Sequence, residues 1–349
     1  MKTIGILTSG GDSPAMNAAV VSVARCAYMH DMHVMGIKRG YNGLLGLSDD
    51  PEDDIFEMDL ETALDIADQR GTFLRTARCE SFLEPEVQRE AAKNLRAIGV
   101  DALVVIGGDG SFHGALRLSE LGIPCIAIPG TIDNDLGYTE ATLGFDTAVN
   151  VCVDAVRSIR ATSRSHDRPA VVQVMGRKAG DIAVRTAIAT GAEMVVVPER
   201  EWDVEVLAAR LTELVNRGNT RATLIIGEHC WNNMKEFDWR KFLNEHGKTV
   251  FPGEPFTAER LASTLKRMCN GIEARATVIG YTQRGAIPNA YDSAFAFEAG
   301  YLAVRLLHRG ITNQAIGMRH GRVFNMPIAD ALSMPKHFDA ELYELVNKL

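Results

Sequence analysis

Three features are missing from this sequence, and each absence excludes a class of protein. No apolar run reaches the length of about 18 residues that a membrane-spanning helix needs, and the apolar run near the N-terminus is too short for a signal peptide. The six cysteines form no CxxC pair, which argues against a structural zinc site. An excess of positive charge is the third missing feature: the net charge is −8, which argues against a nucleic-acid or membrane-surface partner. We therefore expect a reduced, cytoplasmic protein.

The composition is typical of a globular protein with a full core: 46% of the 349 residues are hydrophobic and 23% are charged. This length favours two domains. Short β-branched runs alternate with amphipathic segments of about ten to fifteen residues, which is the pattern of βαβ units. We therefore predict an α/β fold with mainly parallel sheets.

The alternation can be followed along most of the chain. Predicted strands cover residues 3–8, 34–38, 103–106, 126–128, 170–175, 193–197, 222–227 and 275–280. Predicted helices cover residues 15–30, 86–98, 146–161, 179–189, 204–216, 257–270 and 291–308, with a further amphipathic segment between the third and fourth strands. Residues 41–70 are acidic and less regular, and residues 230–255 interrupt the alternation, which predicts an insertion there.

A glycine-rich turn, TSGGD at 8–12, follows the first predicted strand. A Gly-Gly pair that leads into a helix exposes backbone amides at the positive end of the helix dipole, where anions bind well. An ordinary βα turn explains the same residues, and Asp12 equally suits a helix cap.

A second turn, GGDGS at 107–111, follows the strand predicted at 103–106. Gly108 and Gly110 would let a phosphate approach the backbone, and Asp109 offers a carboxylate to Mg²⁺. The dinucleotide fingerprint GxGxxG fails because His113 occupies its last position, and no GxxxxGK[ST] motif occurs. A purely structural turn is the alternative, although it has no need of an acid among glycines.

A third turn, PGTIDND at 129–135, follows the strand predicted at 126–128. Asp133 and Asp135 alternate along an extended loop, so both would address one site. In phosphoryl transfer, one such acid accepts a proton from the attacking hydroxyl and the other helps to hold the metal. An Asx-turn cluster is the alternative. Because ligands of open α/β sheets bind beyond the carboxyl ends of strands, we expect the second and third turns to lie side by side.

The three turns, in this order, resemble the phosphate-site signatures of the phosphofructokinase family. The segments GTFLRTAR at 71–78, MGR at 175–177 and QRG at 283–285 support the resemblance, which runs in register over the chain except at 230–255. GGDG alone also occurs in NAD kinases and lipid kinases, whereas the ordered set is specific. The resemblance implies two Rossmann-like lobes with the active site in the cleft between them. Residues 1–143 and 283–333 would bind nucleotide, and residues 144–282 and 334–349 would bind the sugar phosphate.

The resemblance also implies roles for individual residues. Asp133 would be the base on the 1-hydroxyl of fructose 6-phosphate with Thr131 beside it, and Asp109 and Asp135 would hold Mg²⁺. The residues implied at the nucleotide are Gly11, Tyr41, Arg78, Gly108, Gly110, Ser111 and Gly114. Those implied at the sugar phosphate are Thr131, Asp133, Met175, Gly176, Arg177, Glu228, Tyr281 and Arg284.

Arginines are expected to carry much of the anion binding, because their planar fork pairs two phosphate oxygens. Arg78 and Arg177 would stabilise charge on the transferring phosphoryl group. Arg168 and Arg275 resemble arginines that reach into a neighbouring subunit's site, which implies a homotetramer of paired dimers. From the sequence, all of these and Arg284 are expected at strand ends that face one crevice.

Two glycines favour ATP as the phosphoryl donor. Pyrophosphate-using members of the family have an acid in place of Gly110 and a lysine in place of Gly130, and these side chains would fill nucleotide space. MGRKAGD at 175–181 and GFDTA at 144–148 nevertheless resemble the pyrophosphate-using branch, and Tyr281 stands where histidine is usual.

Other departures concern arginine. Arg70 and Arg75 occupy positions that are usually glycine in the family. At the usual effector site, Arg25 remains, whereas Val21 and Ser158 stand where arginines are usual, so regulation through that site is doubtful.

We therefore expect an ATP-dependent kinase of fructose 6-phosphate that acts in glycolysis. Pyrophosphate as donor, or another sugar phosphate such as sedoheptulose 7-phosphate as acceptor, are alternatives within the enzyme class. A catalytically silent paralogue that binds sugar phosphate and regulates partners is an alternative of another class.

Overall fold

A computed structural model describes residues 1–48, 50–67, 69–237 and 256–348. Most of the predicted insertion at 230–255 therefore lies outside the described residues. The chain forms two compact units, Met1–Ala148 with Arg284–His337 and Val149–Gln283 with Phe338–Leu349. Their bounds differ by a few residues from those predicted for the two lobes, and the ligand of each lobe stays a prediction.

The described strands are β1 (Thr3–Ser9), β2 (His33–Ile37), β3 (Ile55–Glu57), β4 (Ala102–Gly107), β5 (Cys125–Pro129), β6 (Ala170–Val174), β7 (Met194–Val196), β8 (Thr223–Gly227), β9 (Arg275–Val278), β10 (Gln314–Arg319) and β11 (Arg322–Pro327). The described helices are α1 (Met16–Tyr28), α2 (Tyr41–Leu44), α3 (Leu60–Asp65), α4 (Pro85–Ala97), α5 (Asp109–Glu120), α6 (Phe145–His166), α7 (Asp181–Thr190), α8 (Val204–Asn216), α9 (Ala258–Met268), α10 (Ala290–His308), α11 (Ile328–Ser333) and α12 (Ala340–Lys348). No helix among the described residues has both the length and the apolar character to cross a membrane.

The first unit is built on a seven-stranded sheet in the order β11-β10-β5-β4-β1-β2-β3. Its central strands are parallel, and the edge pairs β2–β3 and β10–β11 are antiparallel. Helices cover both faces, so β4 is buried throughout. Val104 and Ile106 belong to one core with α1 and α10, whereas Leu103 and Val105 belong to another with α4 and α5. Two-sided burial explains the continuous apolar run in this strand.

The second unit is built on a four-stranded parallel sheet in the order β7-β8-β6-β9. Its described core packs β6, β7 and β8 with α8 and α9. Helix α8 begins after Asp203, whose side chain accepts the amide of Glu205, and α9 begins after Thr257, whose side chain accepts the amide of Arg260. Such capping oxygens satisfy helix amides that have no partner within the helix.

The predicted α/β fold with mainly parallel sheets is confirmed, and the differences lie in short elements. The prediction that 41–70 is irregular missed α2, β3 and α3, because three to six residues are too few to show a period. The hairpin β10–β11 was also missed. Its turn residues His320 and Gly321 have φ values of 51° and 70°, a geometry usually indicated by Asn-Gly rather than His-Gly.

Candidate functional site

The three turns lie at one edge of the first sheet, the edge formed by the carboxyl ends of the neighbouring strands β1, β4 and β5. Strand β4 pairs with β1 on one side and with β5 on the other, and Gly107 is the register partner of both Ser9 and Pro129. The amide of Gly130 donates to the carbonyl of Gly107 over 2.9 Å, so the pairing continues into the turns. The expectation that GGDGS and PGTIDND lie side by side is confirmed.

The TSGGD turn contacts the segment at 71–78. Gly10, with φ of 92°, donates its amide to the carbonyl of Ala77, and the Thr76 hydroxyl donates to the carbonyl of Gly10 over 2.9 Å. These bonds hold the exposed Arg78 close to the turn. Arg78 therefore lies on a loop next to a strand end, and the expectation that it lies at a strand end is wrong.

Glycine is required at some positions of the GGDGS turn and not at others. A Cβ at Gly107 would lie 2.4 Å from the Ser111 hydroxyl oxygen and 2.5 Å from the Ser9 carbonyl oxygen, so no side chain fits there. A Cβ at Gly108 would lie 3.6 Å from Thr131, which is ordinary contact, and a Cβ at Gly110 would meet nothing within 4 Å. The surface above Gly110 is open, as an approaching nucleotide would require.

Helix α5 begins immediately after this turn. Gly108 is its N-cap and supplies no side-chain hydrogen bond, so the first amides of α5 have no capping side chain there. Asp109 is the first helical residue, and its carboxylate is about half exposed. The His113 Nδ1 lies 3.5 Å from that carboxylate. An uncapped helix N-terminus together with an exposed acid suits a phosphate and its metal.

Tyr41 and Gly114 lie beneath the turn instead of facing its open side. The Tyr41 ring is 3% exposed and stacks on Phe82, and its hydroxyl donates to the Ser111 carbonyl over 2.7 Å. Burial raises the pKa of Tyr41 well above its ordinary value, which keeps this donor protonated. A Cβ at Gly114 would lie 2.6 Å from the tyrosine ring. These contacts support the turn from within the core, and the placement lends no support to direct phosphate contacts by the Tyr41 hydroxyl.

Asp133 and Arg284 meet at the same edge of the sheet. The Asp133 amide donates to the Thr131 hydroxyl oxygen over 3.1 Å, which orients the loop. Arg284 Nη1 donates to the carbonyl of Asp12 over 2.7 Å, and its Nη2 lies 3.9 Å from Asp133 Oδ1. A Cβ at Gly11 would lie 3.0 Å from the same guanidinium, so Gly11 leaves the space that Arg284 occupies. A buried acid and a fixed cation thus lie next to the open glycine turn.

Two of the acids at this edge are the candidates for metal binding. Asp109 is exposed and Asp135 is half-buried. Groups of three or more His, Cys, Asp or Glu arranged for a metal do not occur in the described part of the chain. Mg²⁺ does not require such a group, because it typically binds through one or two carboxylates and substrate phosphates. The two acids therefore fit Mg²⁺ brought in by a nucleotide.

The sugar-phosphate candidates of the second unit lie at the carboxyl ends of β6, β8 and β9. Glu228 follows β8, and its Oε1 accepts the amides of Gly176 at 3.3 Å and Arg177 at 2.5 Å in the turn after β6. Arg177 has a φ of 55°, and its exposed side chain extends from a strained turn that Glu228 holds. Met175 and Glu228 line a cavity of about 160 Å³ together with Tyr281.

Gln283 organises the same edge and was not predicted individually. It is fully buried, and its Oε1 accepts the Met175 amide and the Cys152 thiol, each at 3.1 Å. Burial raises the pKa of Cys152 to about 12, so this thiol remains a donor. The QRG segment at 283–285 was a signal for this residue, although the sequence did not indicate its partners.

Arg168 and Arg275 lie at the amino ends of strands in the second sheet, opposite to the carboxyl ends where Met175 and Glu228 lie. Arg275 begins β9 and Arg168 precedes β6, and both form ion pairs with Glu273, at 2.8 and 2.7 Å. Met175 and Glu228 follow the far ends of β6 and β8, one strand length away, and a five-residue strand spans about 16 Å. The expectation that all five arginines face one crevice is therefore wrong for these two.

Comparisons with known proteins give the chain its family. The sequence profile described as "Phosphofructokinase" matches residues 3–307. A relative from Clostridium botulinum (strain Hall), called ATP-dependent 6-phosphofructokinase, is 42% identical over 349 residues, which is 100% of this chain and 99% of the relative. A relative from Clostridium perfringens (strain 13), called ATP-dependent 6-phosphofructokinase 1, is 43% identical over the same shares of the two chains.

Solved structures share the fold. Phosphofructokinase from Saccharomyces cerevisiae superposes with a TM-score of 0.81 at 30% identity over 99% of this chain, which spans 50% of the yeast chain. A pyrophosphate-dependent phosphofructokinase from Marinobacter aquaeolei superposes with a TM-score of 0.78 at 19% identity, over 98% of this chain and 86% of that one, and shows the fold alone. Because the profile covers most of the sequence and full-length relatives share more than two fifths of its residues, this chain belongs to the phosphofructokinase family.

Proposed function

We propose that this protein is an ATP-dependent 6-phosphofructokinase, which transfers the γ-phosphoryl group of MgATP to the 1-hydroxyl of fructose 6-phosphate. The products would be fructose 1,6-bisphosphate and ADP, and the reaction would serve glycolysis in the cytoplasm. One observation carries the proposal: the buried Asp133 lies at the same sheet edge as the glycine turn that is open at Gly110. Identity of 42% to full-length relatives with this name supports it.

Asp133 would act as the general base. A base must lie within reach of the hydroxyl that it deprotonates, and positioned bases contribute about 10²- to 10⁴-fold to the rate. Asp133 is held by the hydrogen bond from its amide to Thr131. Arg284, fixed by the carbonyl of Asp12, would bind an anionic group of the substrate beside it.

The nucleotide phosphates would bind the first unit. The uncapped amides at the start of α5 favour an anion, and Gly11, Gly108 and Ser111 lie at the turns that would receive it. Asp109 and Asp135 would hold Mg²⁺, which when bound neutralises charge on the β- and γ-phosphates. The exposed Arg78 would contact the transferring group.

Fructose 6-phosphate would bind the second unit. Met175, Glu228 and Tyr281 line its cavity, and Arg177 is presented by the turn that Glu228 holds. Arg168 and Arg275 lie away from this cavity within their own subunit, which supports the proposal that they serve a neighbouring subunit's site. We therefore propose a homotetramer, with a dimer as the minimum.

The donor and acceptor can be tested in one set of assays. ATP or pyrophosphate would be combined with fructose 6-phosphate or sedoheptulose 7-phosphate, and product formation would be followed by coupled oxidation of NADH. Turnover with ATP and fructose 6-phosphate, at a kcat/KM at least tenfold above every other pair, is expected. Faster turnover with pyrophosphate or with the other sugar would replace the proposal with that alternative. Binding of sugar phosphate without turnover of any pair would identify a silent paralogue.

A further inference from the structure

A buried acid that is remote in sequence from the glycine turns lies behind the Asp133 loop. Asp292 belongs to the first turn of α10 and has no solvent exposure. Its Oδ2 accepts two hydrogen bonds from Thr147, one from the amide at 2.7 Å and one from the hydroxyl at 2.6 Å. The Asp292 amide donates to Asn289, the N-cap of α10. Asp292 therefore joins the start of α10 to the start of α6.

The start of α6 is in turn bonded to the loop that carries Asp133. The Thr142 hydroxyl donates to the Thr131 carbonyl over 2.6 Å, and the Leu143 amide donates to the Pro129 carbonyl over 2.8 Å. Thr142 is fully buried, and four residues separate it from Thr147. Thr131 then accepts the amide of Asp133.

We propose that Asp292 is a positioning residue, whose ionised carboxylate holds the start of α6 and, through residues 142–144, fixes the loop that carries Asp133. The inference rests on the proposed function in that Asp133 is the base there. Hydrogen bonds to an ionised acceptor are about twice as strong as neutral ones, so protonation of Asp292 loosens its hold on Thr147. Turnover therefore depends on the charge of a residue that contacts no substrate.

The surroundings of Asp292 place its titration near neutral pH. Burial raises the pKa of Asp292 from 3.8 to about 6, against the opposing effect of hydrogen bonds from Thr147 and Gly144. The titratable groups that face it are Asp146 on α6, whose charge also raises the pKa, and Tyr291 on α10. Glu140, in the segment before α6, acts in turn on Tyr291.

The charge of Asp292 affects stability and turnover in opposite directions. Its pKa is higher in the folded than in the unfolded chain, so its contribution to stability is present below pH 4 and is lost as the pH rises to about 6. Turnover, by contrast, requires the ionised form and rises through pH 6. A purely structural acid would not produce this opposition.

The test compares Asp292→Asn with wild type from pH 5 to pH 8. In wild type, kcat should fall below about pH 6, while KM values stay within about twofold. In Asp292→Asn, kcat should be about tenfold lower at pH 8, and the inflection near pH 6 should be absent. Asp330→Asn, an exposed first-turn acid of α11, serves as the matched control and should behave as wild type.

Thr147→Val gives a second variant, in which the inflection of the kcat profile should shift instead of disappearing. It removes the hydroxyl donor and keeps the amide, which disfavours the ionised carboxylate, so the inflection should move to higher pH. Asn289 loses the acceptor of its amide in this variant, and circular dichroism checks the fold. If Asp292→Asn does not fold, the direction of the Thr147→Val shift decides the inference.

Amide hydrogen exchange separates this inference from the proposed function. Exchange of residues 129–135, corrected for intrinsic rates, should accelerate in wild type below about pH 6 and should be fast at every pH in Asp292→Asn. Exchange and kcat profiles that are unchanged by Asp292→Asn would overturn the inference. A wild type that turns over no ATP with fructose 6-phosphate would overturn the proposed function, and the exchange result would still decide whether Asp292 positions the loop.

Discussion

Arg284 Nη2 lies 3.9 Å from Asp133 Oδ1, and a hydrogen bond from Arg284 Nη1 to the carbonyl of Asp12 holds the arginine in place. Both side chains are largely buried, with exposed fractions of 13% and 10%. A guanidinium that the backbone already holds has little conformational freedom left. Binding an anion therefore costs it little further entropy. Arginine suits this position better than lysine, because one of its terminal nitrogens bonds the backbone while the other faces Asp133.

Arg284→Lys should therefore lower kcat/KM for fructose 6-phosphate about 100-fold, or about 2.7 kcal/mol. Lysine keeps the charge but has one nitrogen, which cannot bond Asp12 and face the substrate together. Steady-state kinetics measure the effect, and Arg322→Lys on the exposed side of β11 is the control. A kcat/KM within threefold of wild type would show that the fork geometry has no role.

Asp133→Ser should lower kcat by about 10²- to 10⁴-fold, because the proton acceptor is removed. Binding of fructose 6-phosphate, measured by isothermal titration calorimetry, should change much less, since the sugar-phosphate candidates of the second unit are unaltered. Undiminished turnover in this variant would end the assignment of Asp133 as the base.

The side-by-side position of neighbouring strand ends could be predicted from the sequence, because the residues that end each strand follow it directly along the chain. Residues 103–106 and 126–128 are short apolar runs, each ended by glycine or proline, and parallel strands bring their carboxyl ends to one edge. The order β5-β4-β1 agrees with that expectation. Residue type alone did not show which glycine leaves open space. The surface is open at Gly110, whereas Gly130, which was also expected to leave nucleotide space, is packed against Ile106 and Met16.

The supporting contacts could not be predicted because their partners are remote in sequence. Thr147 and Asp292 are 145 residues apart, and Met175 and Gln283 are 108 apart. No periodicity links such positions. The predicted strands at 170–175 and 275–280 already put Arg168 and Arg275 at amino ends of strands, as observed. The error was to expect them in one crevice with arginines at carboxyl ends, which parallel strands keep one strand length apart.

Glu228→Gln should raise the KM for fructose 6-phosphate about tenfold. The carboxylate accepts the amides of Gly176 and Arg177, and charge-assisted bonds of this kind contribute about 1.5–3 kcal/mol. The neutral amide retains one acceptor but not the charge, so the turn that presents Arg177 should loosen. Kinetics with fructose 6-phosphate as the varied substrate test this, with Glu259→Gln at the exposed first turn of α9 as the control. An unchanged KM would contradict the role of this turn.

Arg75→Gly should raise the free energy of unfolding by about 0.5–1 kcal/mol. Arg75 has a φ of 55°, a left-handed conformation that costs a non-glycine residue about 1–2 kcal/mol and costs glycine little. Greater freedom of glycine in the unfolded chain offsets part of the gain. Arg70→Gly is the matched control, since Arg70 has no positive φ, and it should lower stability instead. Urea unfolding measures both, and equal shifts in the two variants would rule out strain relief.

Gly110→Asp should weaken ATP binding about 10- to 100-fold while leaving the fold intact. A side chain at position 110 would meet nothing within 4 Å, and an acid suits the first turn of α5, but its charge would oppose the nucleotide phosphates. Gly130→Lys is the contrasting variant: its Cβ would lie 2.9 Å from Ile106 and 3.0 Å from Met16, so it should lose about 1–3 kcal/mol of stability through overpacking. ATP titrations measure the affinity of both variants, and urea unfolding measures their stability. Unchanged ATP affinity in Gly110→Asp would mean that the nucleotide does not approach past this turn.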